Sequence, residues 1–311
     1  MKKLLRKQPS ESVQRFFYPV TGTSLEIPVV VIKGRQPGAT LLITAGIHGS
    51  EYPGIEAAKR LSKTINPTEL QGTLVILPCV NPRAFFERAA FINPTDRKNL
   101  NRCFPGNPLG TETERIAYQL AQEFFPLADF YLDFHSGDLP EQLEEFVFIP
   151  SFGPEETIQA AHQGASYLEV PFAVISKSKV GASSCACLRG TPALLIERGG
   201  FGERSAAAIQ GFMKDALHVA SYLGMLSEPL PLVKELQLFE NVQYLDSPET
   251  GLWMPAFTVG DQVEAGQSLG TIEDFFGEVV WEGFAQQRGQ VLYQVAGLPI
   301  VKGEHLIAYG Y

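Results

Sequence analysis

The alternation of short apolar runs with longer amphipathic stretches constrains the fold of this chain more than any other feature. Runs that read as buried strands recur at Thr40–Thr44, Leu74–Val80, Phe130–Phe134, Phe146–Ile149, Phe172–Ile175 and Ala193–Ile196. Helix-like stretches lie between or after them at about Tyr52–Lys63, Thr113–Phe124, Glu155–Tyr167 and Arg204–Leu223. Strands this apolar need cover on both faces, and the intervening helices supply it. The expectation is an α/β domain whose sheet is flanked by helices. In such sheets functional side chains collect in loops just beyond strand C-termini.

After about Pro229 the texture changes. From Leu245 onward, short alternating segments are broken by glycines such as Gly251, Gly260, Gly270 and Gly289, and no helix-length periodicity remains. This stretch reads as a small all-β module, with Glu228–Glu240 as the connection. The expected division is 1–228 for the α/β domain and 229–311 for the connection and module.

A length of 311 residues has room for both parts. The formal net charge of −9 disfavours a nucleic-acid or anionic-membrane surface, since both prefer basic faces. Met1–Lys7 is basic but has no apolar run behind it, and no stretch is long and apolar enough to cross a bilayer. Cys79, Cys103, Cys185 and Cys187 form no C-x-x-C pair, so neither a disulfide framework nor a cysteine zinc site is indicated. A reducing cytoplasm is the simplest address. G-x-S-x-G, G-x-x-x-x-G-K-[ST] and strand-borne G-x-G-x-x-G motifs are all absent.

Three strand ends carry the residues with metal and acid–base chemistry. His48 and Glu51 follow the run ending at Thr44, His135 ends the run Phe130–Phe134, and Glu197 ends Ala193–Ile196. Zinc accepts imidazole nitrogen and carboxylate oxygen, and a catalytic site uses three protein ligands and leaves a fourth position open. His48, Glu51 and His135 make such a set. Gly46 and Gly49 suit the tight turn the H-x-x-E pair requires. The competing reading is two histidines satisfied by neighbouring hydrogen bonds. Asp133, two residues before His135, could orient that imidazole or cap a neighbouring loop. Glu197 sits where a carboxylate is costly unless paired or functional. It could shuttle a proton between water and a leaving nitrogen, or it could pair with Arg198. The arginines of Asn81–Arg88 and Asn99–Gly106 offer a planar fork for a substrate carboxylate, with Arg102 first and Arg88 next. Arg83, Arg88 and Arg97 could equally be solvated surface charges. His162, His218 and His305 are expected to be structural or exposed.

Taken together, Gly46–Glu51, Asn81–Ala84, Asn101–Gly106, Asp133–Gly137 and Glu197 with Gly199–Gly200 resemble the succinylglutamate desuccinylase/aspartoacylase family, relatives of the zinc carboxypeptidases. The resemblance implies a carboxypeptidase-like mixed sheet and one zinc ion per chain held by His48, Glu51 and His135. It also implies Glu197 as general base and acid, with substrate contacts from Arg88, Asn101 and Arg102. The implied activity is hydrolysis of the amide of a small, anionic N-acylated amino acid or amine. A peptidase of short peptides and a non-catalytic zinc-binding relative are the alternatives. One departure is visible: where the family usually reads Asp-Leu-Asn-Arg, this chain has Asn99-Leu100-Asn101-Arg102. The glycine-rich stretch Val259–Gly270 looks like a lipoyl/biotinyl-type sandwich. Its only lysine, Lys302, lies next to the last strand, so a lid or a contact between copies of the chain is expected rather than a carrier arm. The loops Leu139–Glu145 and Ser176–Ser184 are expected to shape the pocket.

Overall fold

The computed structural model describes residues 1–226, 230 and 236–311. The expected boundary at 228/229 therefore lies outside the described residues. The α/β part comprises β1 Ser12–Pro19, β2 Glu26–Lys33, β3 Gln36–Ala45, β4 Gln71–Leu77 and β5 Phe130–His135. It continues with β6 Glu141–Leu143, β7 Phe146–Pro150, β8 Phe172–Ser176, β9 Ala193–Glu197 and β10 Gln237–Phe239. The helices are α1 Lys2–Lys7, α2 Tyr52–Thr64, α3 Pro82–Phe86, α4 Glu112–Gln119, α5 Glu155–Ala165, α6 Ala182–Leu188 and α7 Ala206–Tyr222.

Nine strands form one mixed sheet in the order β1-β2-β4-β3-β5-β9-β7-β8-β10. Its centre, β4-β3-β5-β9, is parallel; β2 runs antiparallel to both β1 and β4, and β7 runs antiparallel to β9 but parallel to β8. The central strands are buried on both faces, with Leu41, Leu42, Ile43, Leu132, Phe134 and Leu194 all solvent-inaccessible or nearly so. Alpha2 and α7 pack on one another, and the Phe134 ring stacks 4.6 Å from that of Phe212 on α7. After β3 the chain turns to β4 on one side and later returns to β5 on the other. That reversal opens a crevice at the C-terminal ends of β3 and β5, where α/β sheets place their ligands.

The expected strands and helices are present, and β1, β2, β6, β10, α1, α3 and α6 join them without an expectation. Beta1 and β2 extend the sheet outward, and the apolar run in β2, Val29–Ile32, is fully buried. Alpha6 occupies part of the expected Ser176–Ser184 loop. It is buried on nearly every side, so its sequence shows no polar face from which a helical period could be read. Beta6 lies in the expected Leu139–Glu145 loop and pairs with no strand of the large sheet.

The C-terminal module is a sandwich of two antiparallel sheets. One holds strands Val242–Asp246, Gln262–Val263, Gly289–Val295 and His305–Gly310; the other holds Gly251–Pro255, Ser268–Glu273, Val279–Phe284 and Pro299–Ile300. Trp253, Leu269, Ile272, Val291, Leu306 and Ile307 fill the space between them. The module and the α/β part exchange strands. Beta6 pairs with Gly289–Val295 in the module's sheet, and β10, from the expected connection, pairs with β8 at the edge of the large sheet.

Candidate metal centre

Three adjacent parallel strands deliver the central residues. Beta3 ends at Ala45 and leads through Gly46 to His48; β5 ends at His135, and β9 ends at Glu197, its register partner. The turn after β3 is forced by local chemistry. Gly46 has φ +68, and a Cβ there would press on Cys79 and Ile55 at 3.1 Å. Gly49 lets the backbones meet: a Cβ would come within 2.5 Å of the Ala84 and Ala89 carbonyl oxygens. Glu51 then stands at the N-terminal boundary of α2, with Pro53 in the first turn, where a missing N–H costs nothing.

One ligand atom from each of His48, Glu51 and His135 lies within 4.8 Å of the others. The two imidazole rings meet edge-to-face at 5.1 Å. Glu51 Oε1 is 2.6 Å from His48 Nδ1, and Glu51 Oε2 is 3.1 Å from His135 Nδ1. A chain of hydrogen bonds orients this cluster from beneath. The Tyr131 hydroxyl donates to Thr44 Oγ1 at 2.6 Å, and Thr44 donates to Asp133 Oδ1 at 2.6 Å. Asp133 Oδ2 in turn lies 3.0 Å from His135 Nε2. An ionised carboxylate offers no proton, so His135 donates its Nε2–H to Asp133, and Nδ1, facing Glu51, is the ring nitrogen left to bind an ion.

That arrangement tests the site for a metal. Two ring nitrogens and a carboxylate converge in a largely buried space, and positive charge, whether protons on the rings or a metal ion among the three groups, is what reconciles them. Protons show the same demand. Burial alone would raise Glu51 and lower both histidines. Instead the facing imidazoles hold Glu51 down at about 2, while Glu51 raises His48, and Glu51 with Asp133 holds His135 well above its ordinary range. The donor set, two nitrogens and a carboxylate, is the one zinc accepts. The residues present therefore fit the ion.

Glu197 lies beside this cluster and outside it. Its Oε2 is buried without a hydrogen-bond partner. Burial pushes its pKa well above the carboxylate range; His135 works against that shift, and Glu51 adds to it. Arg198 does not neutralise it. That guanidinium turns away to Asp215, at 2.8 and 3.1 Å, and to Glu145.

A cavity of about 790 Å³ opens above these residues. Asn101 and Arg102 line it from the turn Leu100–Arg102, and Asn101 Oδ1 accepts the Ala182 N–H of α6 at 2.9 Å. Arg88 is not brought there: it is exposed, with φ +55, and is not among the cavity-lining residues. Arg83 pairs with Glu112 at 2.7 Å. His162 is exposed; His218 lies near Glu169; His305 reaches the cavity rim, paired with Asp246 at 2.5 Å.

Several lining residues went unremarked in the sequence. Tyr244 and Tyr293 come from the module and Asp138 from the loop after β5; the module also brings in His305, expected to be structural or exposed, and β6 brings in Glu141 from the Leu139–Glu145 stretch expected to shape the pocket. The Tyr293 hydroxyl donates to Glu141 Oε1 at 2.8 Å, and the Tyr244 ring stacks on His305 at 4.8 Å. Burial, then the Glu51 carboxylate, pushes Asp138 up to about 7. An alternating strand of unknown register offers no sign of which tyrosine faces a cavity, although Asp138 follows the Asp133–Gly137 segment directly.

Comparison with known proteins places this geometry. The family model of the succinylglutamate desuccinylase/aspartoacylase catalytic domain matches residues 37–223. The N-alpha-acetyl-L-2,4-diaminobutyric acid deacetylase of Halomonas elongata is 29% identical over 255 residues, covering 80% of this chain and 74% of the relative. A succinylglutamate desuccinylase of Pseudomonas paraeruginosa is 30% identical over 162 residues, 47% of each chain. Among solved structures, the product-bound ectoine utilization protein EutE (DoeB) of Ruegeria pomeroyi matches with a TM-score of 0.87 at 26% identity, covering 98% of this chain and 97% of that one. A succinylglutamate desuccinylase/aspartoacylase from Rhodobacter sphaeroides shares the fold, with a TM-score of 0.84 at 24% identity over 98% of this chain and 97% of its own. With the catalytic-domain model spanning all three strand ends that build the site, the chain belongs to the succinylglutamate desuccinylase/aspartoacylase family.

Proposed function

We propose that this chain is a zinc-dependent deacylase that hydrolyses the amide of a small N-acylated amino acid or amine. The observation that carries the reading is the convergence of His48, Glu51 and His135 beside a half-buried Glu197 whose Oε2 is buried without a partner. His48, Glu51 and His135 would hold one zinc ion. When bound, zinc supplies Lewis acidity, polarising a carbonyl oxygen and acidifying water.

The remaining work falls to the chain. Glu197, made more basic by burial, takes a proton from the attacking water and returns it to the leaving nitrogen. Arg102 faces the cavity with a guanidinium fork that either steadies the developing oxyanion or grips a substrate carboxylate. Asn101 holds the α6 loop against the same wall through Ala182. The module closes the opposite side with Tyr244 and Tyr293, and we infer that it acts as a fixed lid. Arg102 and Lys177 favour an anionic group on the substrate. Asp138 and Glu141 offer the opposite charge, which suits a second amine such as the one diaminobutyric acid carries.

We infer a cytoplasmic setting from the four unpaired cysteines. Among the described residues no helix is long and apolar enough to cross a membrane.

The test is amine release by zinc-loaded protein across N-acetyl, N-succinyl and N-formyl amino acids and diamines, beside short peptides, with Glu197→Gln as control. Release abolished by the substitution supports the deacylase and names its acyl group. Cleavage of peptides alone moves the reading to a peptidase. Zinc binding without turnover on any substrate supports the non-catalytic alternative.

A further inference from the structure

The two imidazoles of the metal centre are supported differently. His135 Nε2–H donates to a carboxylate, Asp133, at 3.0 Å, whereas His48 Nε2 lies 3.1 Å from the Oδ1 of Asn99, an amide. A second contact identifies that amide atom. The backbone N–H of Asn101 donates to it at 2.8 Å, and an N–H donates to oxygen, not to an amide NH₂. An oxygen opposite a ring nitrogen requires the proton to sit on that nitrogen. His48 therefore carries a proton on Nε2, which leaves Nδ1, 2.6 Å from Glu51 Oε1, as the ring atom available to a metal ion.

The same Asn99 oxygen caps the turn Leu100–Arg102. Asn101 and Arg102 on that turn line the cavity. A single acceptor thus serves both the ligand imidazole and the substrate-facing turn.

We propose that Asn99 is a positioning residue: its amide oxygen sets the tautomer and ring orientation of His48 and ties that imidazole to the turn carrying Arg102. The proposal rests on the zinc reading above. It also gives a physical reason for an amide rather than a carboxylate at this position. Glu51, Asp133, Asp138 and Glu197 already crowd carboxylates around the site, and another beside His48 would add like-charge repulsion. An amide keeps both acceptor contacts without that charge. In exchange, His48 lacks the extra donor strength that an anionic partner lends a metal-ligating imidazole.

The experiment compares native protein with Asn99→Ala and Asn99→Asp. Zinc affinity is read by competition with a chromogenic chelator, and the histidine ring protons by nitrogen–proton correlation spectra of histidine-labelled protein. Native zinc-loaded protein should show a slowly exchanging Nε2–H on His48. Asn99→Ala should lose that signal, weaken zinc roughly 10–100-fold, and raise KM as the turn loses its cap. Asn99→Asp retains both acceptor contacts and should keep the signal and KM, with zinc held as tightly or more tightly. An Nδ1–H tautomer of His48 in the native protein would overturn the assignment. So would native zinc affinity in a folded Asn99→Ala. If Asn99→Ala does not fold, the native spectrum and Asn99→Asp still decide. Native protein that binds no zinc removes the functional reading instead, and the His48 tautomer in metal-free protein at alkaline pH then settles the role of Asn99.

Discussion

Replacing Glu197 with glutamine separates catalysis from metal binding and exposes the energetic cost of the native carboxylate. Glu197 is pushed well above its ordinary pKa chiefly by burial, and its Oε2 has no hydrogen-bond partner. A raised folded-state pKa has a definite consequence for stability. Below the unfolded value, about 4.3, the group is protonated in both states and its contribution is fully present. As pH rises through the folded value that contribution is lost, by about 1.4 kcal/mol for each unit of elevation. Glutamine has the same shape and cannot ionise. Metal-free Glu197→Gln should therefore melt at the native temperature near pH 4 and above it at pH 8. Glutamine keeps the unpartnered polar atoms and removes only the charge, whose burial is taken to cost about 1–3 kcal/mol. At about 2.1 cal/mol/K of unfolding entropy per residue, a chain of 311 residues melting as one unit gains about 1.5 °C per kcal/mol. The expected gap at pH 8 is thus about 2–5 °C, read by thermal unfolding in chelator across pH. The zinc-loaded variant should keep full metal stoichiometry, because Glu197 is not one of the three clustered ligands. Its turnover should fall about 10²–10⁴-fold, the usual contribution of a general acid–base group. A melting gap that does not change with pH would refute the burial argument, and near-native turnover would remove Glu197 from the reaction.

Four further outcomes follow from the geometry. Asp133→Asn should weaken zinc about 10–100-fold in chelator competition, since His135 loses an anionic partner; native affinity would reduce Asp133 to a structural hydrogen bond. Arg102→Lys, which keeps the charge but removes the fork, should lower kcat/KM by about tenfold. Arg88→Ala should change it by no more than about twofold, because that side chain is exposed and off the cavity wall; steady-state kinetics showing the reverse ranking would place Arg88 at the substrate. Arg198→Met breaks a buried ion pair and leaves Asp215 without its partner. At about 3–5 kcal/mol, it should lower the melting temperature by about 5–8 °C; a shift under about 2 °C would show that Asp215 finds other partners.

Much of the α/β part was legible because its signals are local. The central strands are apolar on both faces, and α2, α4 and α7 carry the helical period, so each element declares itself within its own residues. Where an element owes its existence to a distant partner, that signal vanishes. Beta6 is Glu141-Gln142-Leu143, with no strand propensity to notice, and it is a strand because Gly289–Val295 lies alongside it. Alpha6, enclosed by protein, has no polar face. The wall facing Glu197 belongs to the module, and Tyr244 and Tyr293 reach it only because the sandwich docks there.

The same division runs through the site. The sequence alone determined the types and order of the chemical groups: an H-x-x-E turn opened by glycines, a histidine two residues beyond an aspartate on one strand, and a glutamate ending another. Those relations span a few residues, and backbone geometry suffices to set them. Tertiary structure alone decided how they are used. It set His135 opposite Glu197 across β5 and β9, turned Arg198 toward Asp215 so that Glu197 stays unpaired, left Arg88 in solvent, and gave one Asn99 oxygen both the His48 and Asn101 protons. Each of these outcomes depends on distances between groups far apart in sequence, and such distances exist only once the sheet has formed and the module has packed against it.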